Sequence, residues 1–254
     1  MNPADIIRIK DLLPTAMGSD ELREQIAADI LRRSVFSARM ESARYLARVR
    51  DVCAEYADGG LSAAEARKTL LAELEAMGHS QSDGGGIANP ASRQRLNLII
   101  ETQRRMASSV ARINADTPET LALWPAWELR RFERRKAPRA DWPQRWQSAA
   151  EAVGHEGVAR HTARMVALKN SPIWQALGDG AGGFRDTLGN PYPPFAYSSG
   201  LAWADVSADE CRELGLSDRP ASAGAPPKAS LSPDDRELLE AARAAGFDIG
   251  KGLA

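Results

Sequence analysis

Residues 188–216 read LGNPYPPFAYSSGLAWADVSADECRELGL, and the rest of the chain is organised around them. Each proline fixes φ and drives the residue before it out of the helical region. Pro191, Pro193 and Pro194 are interleaved with Tyr192, Phe195 and Tyr197, all within seven residues. Such a run is stiff and adhesive, and it is expected to lie across a folded body. It holds no histidine or acid between Pro191 and Trp203, so it is not a catalytic loop. Local grounds favour an extended segment covering the core. The other reading is a proline-rich ligand segment that docks on a partner. The stretch closes on a short helix, opened by the capping box Ser207-Ala-Asp-Glu210 and stopped at Gly215.

Upstream of this stretch the chain is aromatic and loop-rich. All six tryptophans lie between Trp124 and Trp203. Residues 126–132 alternate as a strand would, with Trp127 and Leu129 on one side and Glu128 and Arg130 on the other. From Arg130 to Arg139 there are six basic residues against the single acid Glu133. Asp141-Trp142-Pro143 starts a helix that carries Trp146. Ser171-Pro172-Ile173-Trp174 starts another, ended by Gly178.

The first half is aliphatic and helical. Ser19 to Asp58 contains neither glycine nor proline, and Leu22, Ile26, Ile30, Phe36 and Met40 continue into Leu46, Val49, Cys53 and Tyr56. The spacing predicts one long helix with a break near Ser34–Ser37, or about 60 Å of unbroken helix. Arg32, Arg33, Arg39, Arg44, Arg48 and Arg50 are expected on a solvated face. Ser62-Ala-Ala-Glu65 is a second capping box, opening a helix with Leu70, Leu71, Leu74 and Met77 that Gly78 stops. Asn89 is expected to cap a third helix with Pro90 at its first position, running to about Asn114. Its outer faces would carry Arg93, Arg95, Arg104, Arg105 and Arg112. Residues 217–230 are rich in Pro, Ala, Ser and Gly and read as a linker. A last helix follows, with Ser232 as cap, Pro233 first, Leu238 and Leu239 apolar and Gly246 as stop; it is either docked or a free tail.

Composition narrows the chemistry. With 43% hydrophobic and 26% charged residues the chain is that of a soluble globular protein, and its net charge of −1 gives it no overall pull toward nucleic acid. Cys53 and Cys211 stand far apart, both at helical positions, and are expected as packed thiols. The first residues have neither a basic region nor an apolar core of a secretory signal, and no run is long and apolar enough to span a membrane. A cytosolic setting is therefore expected. The triple glycine at 84–86 lacks the Gly-Lys-Ser/Thr ending of a phosphate loop. His155 and His161 are six residues apart, which is not a helical metal-ligand spacing. No catalytic residue, metal site or cofactor is expected. Glu128, Glu133 and Asp141 are acids in an aromatic segment and leave a paired-carboxylate hydrolase open, although nothing singles them out from ion-pair partners of the neighbouring arginines. Arginine mixed with tryptophan between Trp124 and Trp146 is the composition of a protein interface and also of a nucleic-acid surface. The near-zero net charge favours the interface.

The order of these elements resembles the Mu F-like phage minor head proteins, the phage head morphogenesis family. The residues that carry the resemblance are Val35-Phe36-Ser37-Ala38 leading into Tyr45-Leu46, Asp58-Gly59-Gly60-Leu61 and Ser62-Ala-Ala-Glu65. Next come Arg95-Leu96-Asn97-Leu98-Ile99-Ile100-Glu101-Thr102-Gln103 and Trp124-Pro125-Ala126-Trp127-Glu128-Leu129. Arg164-Met165-Val166-Ala167-Leu168 and Gly189-Asn190-Pro191-Tyr192-Pro193-Pro194-Phe195 complete it. The family usually ends its double-proline motif with histidine and cysteines, where this chain has Ala196-Tyr197-Ser198-Ser199-Gly200. The resemblance covers about residues 35–216 and implies a non-enzymatic virion protein, present in few copies near the portal and active in head assembly.

The expected fold is α+β, mainly α: long N-terminal helices over 1–116, an aromatic, loop-rich α+β region over 117–216, a linker over 217–231 and a tethered C-terminal helix over 232–254. The expected partners are portal or capsid proteins of the same phage, with several copies around the portal, in the virion and in the host cytoplasm during assembly. Packaged DNA is the alternative partner, and no membrane is involved. Partner contact is expected at Trp124, Trp127, Arg130, Arg131, Arg134, Arg135, Tyr192, Phe195 and Trp203.

Overall fold

A computed structural model describes residues 1–133, 139–216 and 234–247. The fold is α+β and mainly α, with eleven α-helices and five short strands among the described residues. It divides into two compact units, Met1–Ala111 with Lys228–Ala254, and Arg112–Pro227.

The first unit begins with α1 (Pro3–Arg8), capped by the Asn2 side chain on the Asp5 amide at 2.8 Å. β1 (Asp11–Leu12) follows. The stretch from Ser19 to Asp58 breaks at Ser34, inside the predicted Ser34–Ser37 interval, and forms α2 (Ser19–Gln25), α3 (Ala28–Arg33), β2 (Ser34–Val35) and α4 (Ala43–Ala57). The reason lies in the lead-in. β1 pairs in parallel with β2, Asp11 opposite Ser34 and Leu12 opposite Val35. The amides of Leu13 and Thr15 then take the carbonyls of Val35 and Met40 at 3.0 and 2.9 Å. Buried backbone groups near the N-terminus need partners, and residues 34–40 supply them only by leaving the helix. A separate extended pair at Ile26 and Ala27 divides α2 from α3.

α5 (Ala63–Ala76) starts on the Ser62–Glu65 capping box, with both reciprocal bonds present. α1 and α5 both pack on α4, burying Ile6, Ile7, Leu46, Val49, Leu70 and Leu74. α6 (Arg93–Asn114) starts later than predicted. Ser92 is its cap, accepting the Arg95 amide at 3.2 Å. Asn89 instead turns the preceding loop, accepting from the Ala91 amide and donating to the Ser80 carbonyl, both at 2.8 Å.

Two arginines expected in solvent are buried. Arg95 donates to the carbonyls of Ile87, Ala88 and Ala38 and to the Ser37 hydroxyl. The five-donor guanidinium fork can satisfy two irregular segments at once, which an outer position could not do. Arg33 meets Asp29 on its own helix and Asp235 near the C-terminus.

The second unit holds α7 (Pro118–Leu123), β3 (Ala126–Arg131), α8 (Trp142–Ala152), β4 (Val166–Leu168), α9 (Ile173–Gly178), β5 (Leu201–Val206) and α10 (Ala208–Glu213). Its sheet is antiparallel in the order β4-β3-β5. Trp127 faces Asp205 and Leu129 faces Trp203 across the β3–β5 pair. Trp127 and Trp203 are therefore diagonal neighbours on one face, and their rings stack at 3.6 Å. Trp174 of α9 stands edge-on to both, and also to Trp146 of α8. Phe195 closes the cluster against Trp174 and Trp203.

The proline run covers this core, with Tyr192 through Ala196 all buried. It is tied down by the Leu188 amide on the Phe195 carbonyl at 2.9 Å and by the Asn190 side chain on the Pro194 carbonyl at 3.0 Å. Where the run meets α9, the Gly189 amide reaches the Gly178 carbonyl at 2.9 Å. A Cβ on Gly178 would stand 2.0 Å from the Asn190 carbonyl oxygen. Gly178 is therefore the point of closest backbone approach as well as the helix end.

α11 (Arg236–Ala244) packs with the first unit. Leu239, Ala242 and Phe247 join a buried cluster with Leu13, Leu22, Ile26 and Ile30, so this helix is docked. Its predicted cap Ser232 and first residue Pro233, and the linker before them, lie outside the described residues. Cys53 and Cys211 are free and buried.

Replacing Gly178 by Ala should destabilise the chain by about 3 kcal/mol, the upper end for overpacking, because a backbone carbonyl cannot swing aside. Urea unfolding followed by tryptophan fluorescence measures this. An unchanged midpoint would show that the proline run does not cross α9 there.

Candidate functional site

Of the nine residues expected to contact a partner, four are core. Trp127, Tyr192, Phe195 and Trp203 are at most 3% exposed. The pleat explains the two tryptophans: alternate residues of β3 and β5 point to the inner face, and those positions carry the large rings. Tyr192 and Phe195 follow because the proline run lies on that face. Their composition is that of an interface, but here the interface is internal. Arg134 and Arg135 lie outside the described residues.

Trp124, Arg130 and Arg131 remain at the surface. Trp124 is 44% exposed at the end of α7. Arg131 is partly engaged, donating to the carbonyls of Ser199 and Arg139 at 3.1 and 3.2 Å. The Arg130 side chain is 62% exposed and stands 3.9 Å from the Glu128 carboxylate, a loose pair.

The outer face of the sheet supplies what the sequence reading missed. Glu128, Arg130 and Phe132 share that face by parity, and Phe132 is 61% exposed. Opposite Glu128 and Arg130 on β5 stand Ala204 and Ala202, both half-buried. At the other end of the sheet this face is covered, because Ala126, Val166 and Val206 pack with Ala159, Cys211 and Leu216. Among the described residues this packing does not extend toward Arg130, where Ala202 and Ala204 form a floor with Arg130 and Phe132 beside it. The signal for Phe132 was available in the same two-residue period that identified Trp127. Leu123, 63% exposed next to Trp124, adds a second apolar point at the opposite end of β3.

An ionic cluster borders the open area. Arg164 gives a bidentate pair to Glu128, at 2.9 and 2.7 Å, and reaches Glu210 with its remaining arm. Those bonds hold the Glu128 carboxyl below the usual carboxylate range. Ionised at neutral pH, Glu128 has no proton to give as a general acid. Asp141 is bound elsewhere, to Arg145 at 2.8 Å. Arg145 also holds Asp186, which takes Arg139 on its other oxygen. Glu128 and Asp141 thus belong to separate arginine networks.

His155 and His161 sit on turns with left-handed backbone, φ 61 and 60. Among the described residues no group of three or more His, Cys, Asp or Glu could hold a metal ion. No described helix is long and apolar enough to cross a membrane.

The first unit contains one group with unusual titration. Lys10, 3% exposed, donates to Gln103 Oε1 at 2.8 Å, and Gln103 donates on to the Ser34 carbonyl. Burial pushes the Lys10 amine down to about 7, with Cys53 opposing. Burial pushes the Cys53 thiol up to about 12.

No family model, curated protein or solved structure matches the chain.

Lys10 makes stability depend on pH. An unfolded lysine titrates near 10.4, so above pH 7 the unfolded chain binds more protons than the folded one. Stability should therefore rise with pH from about 7, and the full cost is present below that. Above about pH 8.5 Cys53 acts in the opposite sense, because the unfolded thiol loses its proton first. Urea unfolding between pH 6 and 8.5 should show a gain of about 1–2 kcal/mol, flattened by Lys10→Met. A flat wild-type profile would mean that Lys10 stays charged in the fold.

Proposed function

We propose that this chain is a minor structural protein of a phage head that acts in head morphogenesis by binding portal or capsid proteins. One observation carries the reading. Three segments on which the resemblance rests, Trp124–Leu129, Arg164–Leu168 and Gly189–Phe195, fold together as β3, β4 and the proline run around a single aromatic core. They form one body whose sheet is open at the Arg130 end, and the contact surface is that open end: Arg130, Phe132, Ala202 and Ala204. An arginine and an aromatic over a flat floor of small residues suit a protein partner, because such side chains dominate binding energy at interfaces. DNA is the weaker alternative. Arg112, Arg139, Arg145 and Arg164 each donate to a carboxylate of the same unit, which withdraws them from phosphate contact.

Phage particles raised from the source bacterium, purified on a density gradient and assayed by mass spectrometry test this directly. The protein should co-sediment at a small ratio to the major capsid protein. Phe132→Asp with Arg130→Glu should cut its incorporation at least tenfold and leave the thermal midpoint unchanged. Absence from both mature and immature particles would overturn the virion reading. A midpoint that falls with incorporation would make the face structural, and binding to DNA that falls steeply with salt would favour the alternative.

A further inference from the structure

The apolar stripe of α11 is used on a surface close to the other end of the chain. Leu239, Ala242 and Phe247 are buried with Leu22, Ile26 and Ile30 of the α2–α3 region. Asp235, just before the helix, meets Arg33 at 3.1 Å, with side chains only 11% and 7% exposed. The contact has an apolar stripe and one buried ion pair that sets its register. A helix of nine residues is marginal alone in water, so α11 depends on its acceptor.

The 17 residues 217–233 connect α11 to Leu216, and of these 217–230 read as a linker by composition. Fully extended, a connection of that length reaches roughly 55–60 Å. That reach lets the helix meet a neighbouring molecule's acceptor as well as its own. Donor and acceptor are both present on every copy. Every contact made within one chain can be remade between two, so the choice rests on concentration alone. A tether of this length holds its helix at an effective concentration in the millimolar range.

We propose that the α2–α3 acceptor takes α11 from a second copy of this chain when copies are crowded above that concentration. The contact that closes one molecule then links two. Reciprocal exchange gives a closed pair, and onward exchange gives a ring or a chain. This goes beyond the virion reading and does not depend on it.

Two full-length variants test the proposal. Arg33→Glu places a negative acceptor against its own Asp235, and Asp235→Arg places a positive helix against its own Arg33. Each variant therefore disfavours closure on itself, while the acceptor of the first matches the helix of the second. Native mass spectrometry of the equimolar mixture should show a mixed pair at least tenfold above either self-pair. Because Arg33→Glu also faces Asp29 and could unfold α3, wild-type chains of light and heavy isotope provide the second measurement. Mixed at rising concentration, they should form light–heavy pairs that vanish with Phe247→Asp. Variants and wild type that both stay monomeric would overturn the proposal. Light–heavy pairs that survive Phe247→Asp would also overturn it, because they would use another surface.

Discussion

The stack of Trp127 on Trp203 is the contact on which the second unit depends. Two indoles 3.6 Å apart can meet only if β3 and β5 are antiparallel and in the observed register, which makes the two residues diagonal neighbours. A slip of one residue between the strands would put the two rings on opposite faces of the sheet. Once the stack is in place, the inner face of the sheet is defined, and Trp174, Trp146 and Phe195 pack onto it edge to face. The proline run then has one place to lie. Its rings must reach the stack, and its backbone must pass the end of α9 at a residue without a side chain.

Arginine does work in both units that its charge count does not reveal. Arg95 ties the 36–38 segment to the loop before α6 through backbone carbonyls. Arg112 spans the Trp203 carbonyl at 2.7 Å and the Asp205 carboxylate at 2.6 Å. This covers part of the free edge of β5, an edge that would otherwise offer unpaired groups to another strand. Arg164 fastens β3 to α10 through Glu128 and Glu210. These are connections between irregular segments, where a planar fork with five donors does more than an ammonium could.

Much of this was legible in the sequence. The Ser62–Glu65 capping box, the stops at Gly78 and Gly246, the alternation of β3 and the covering role of the proline run follow from local chemistry. What local chemistry cannot reveal is a partner distant in the chain. A break near Ser34–Ser37 could be read locally, but its form, an extended segment that supplies carbonyls to residues 13–15, depends on a partner outside that stretch. Arg33 looks like one more basic residue on a polar face until Asp235 arrives from the other end. Trp127 and Trp203 match an interface in composition, and only the β5 register turns them inward. Phe132 follows the same two-residue period as Glu128 and Arg130, which places it on the outer face.

The open end of the sheet follows from the same pleat. β5 carries leucine and tryptophan inward at 201 and 203, and alanine outward at 202 and 204. Alanine is a poor strand former, since it has little to pack on a pleated surface. Two of them on the outer face forgo the cross-strand contacts that larger residues would make with Glu128 and Arg130. The inner tryptophans hold the strand in place without that help. Small outer residues keep the face low, so that Arg130 and Phe132 stand above a flat floor. Valine or threonine at 202 and 204 would strengthen β5 and raise the floor by a side-chain layer. At the Arg130 end the strands are thus held from the inner face, and larger outer residues are absent from β5 there.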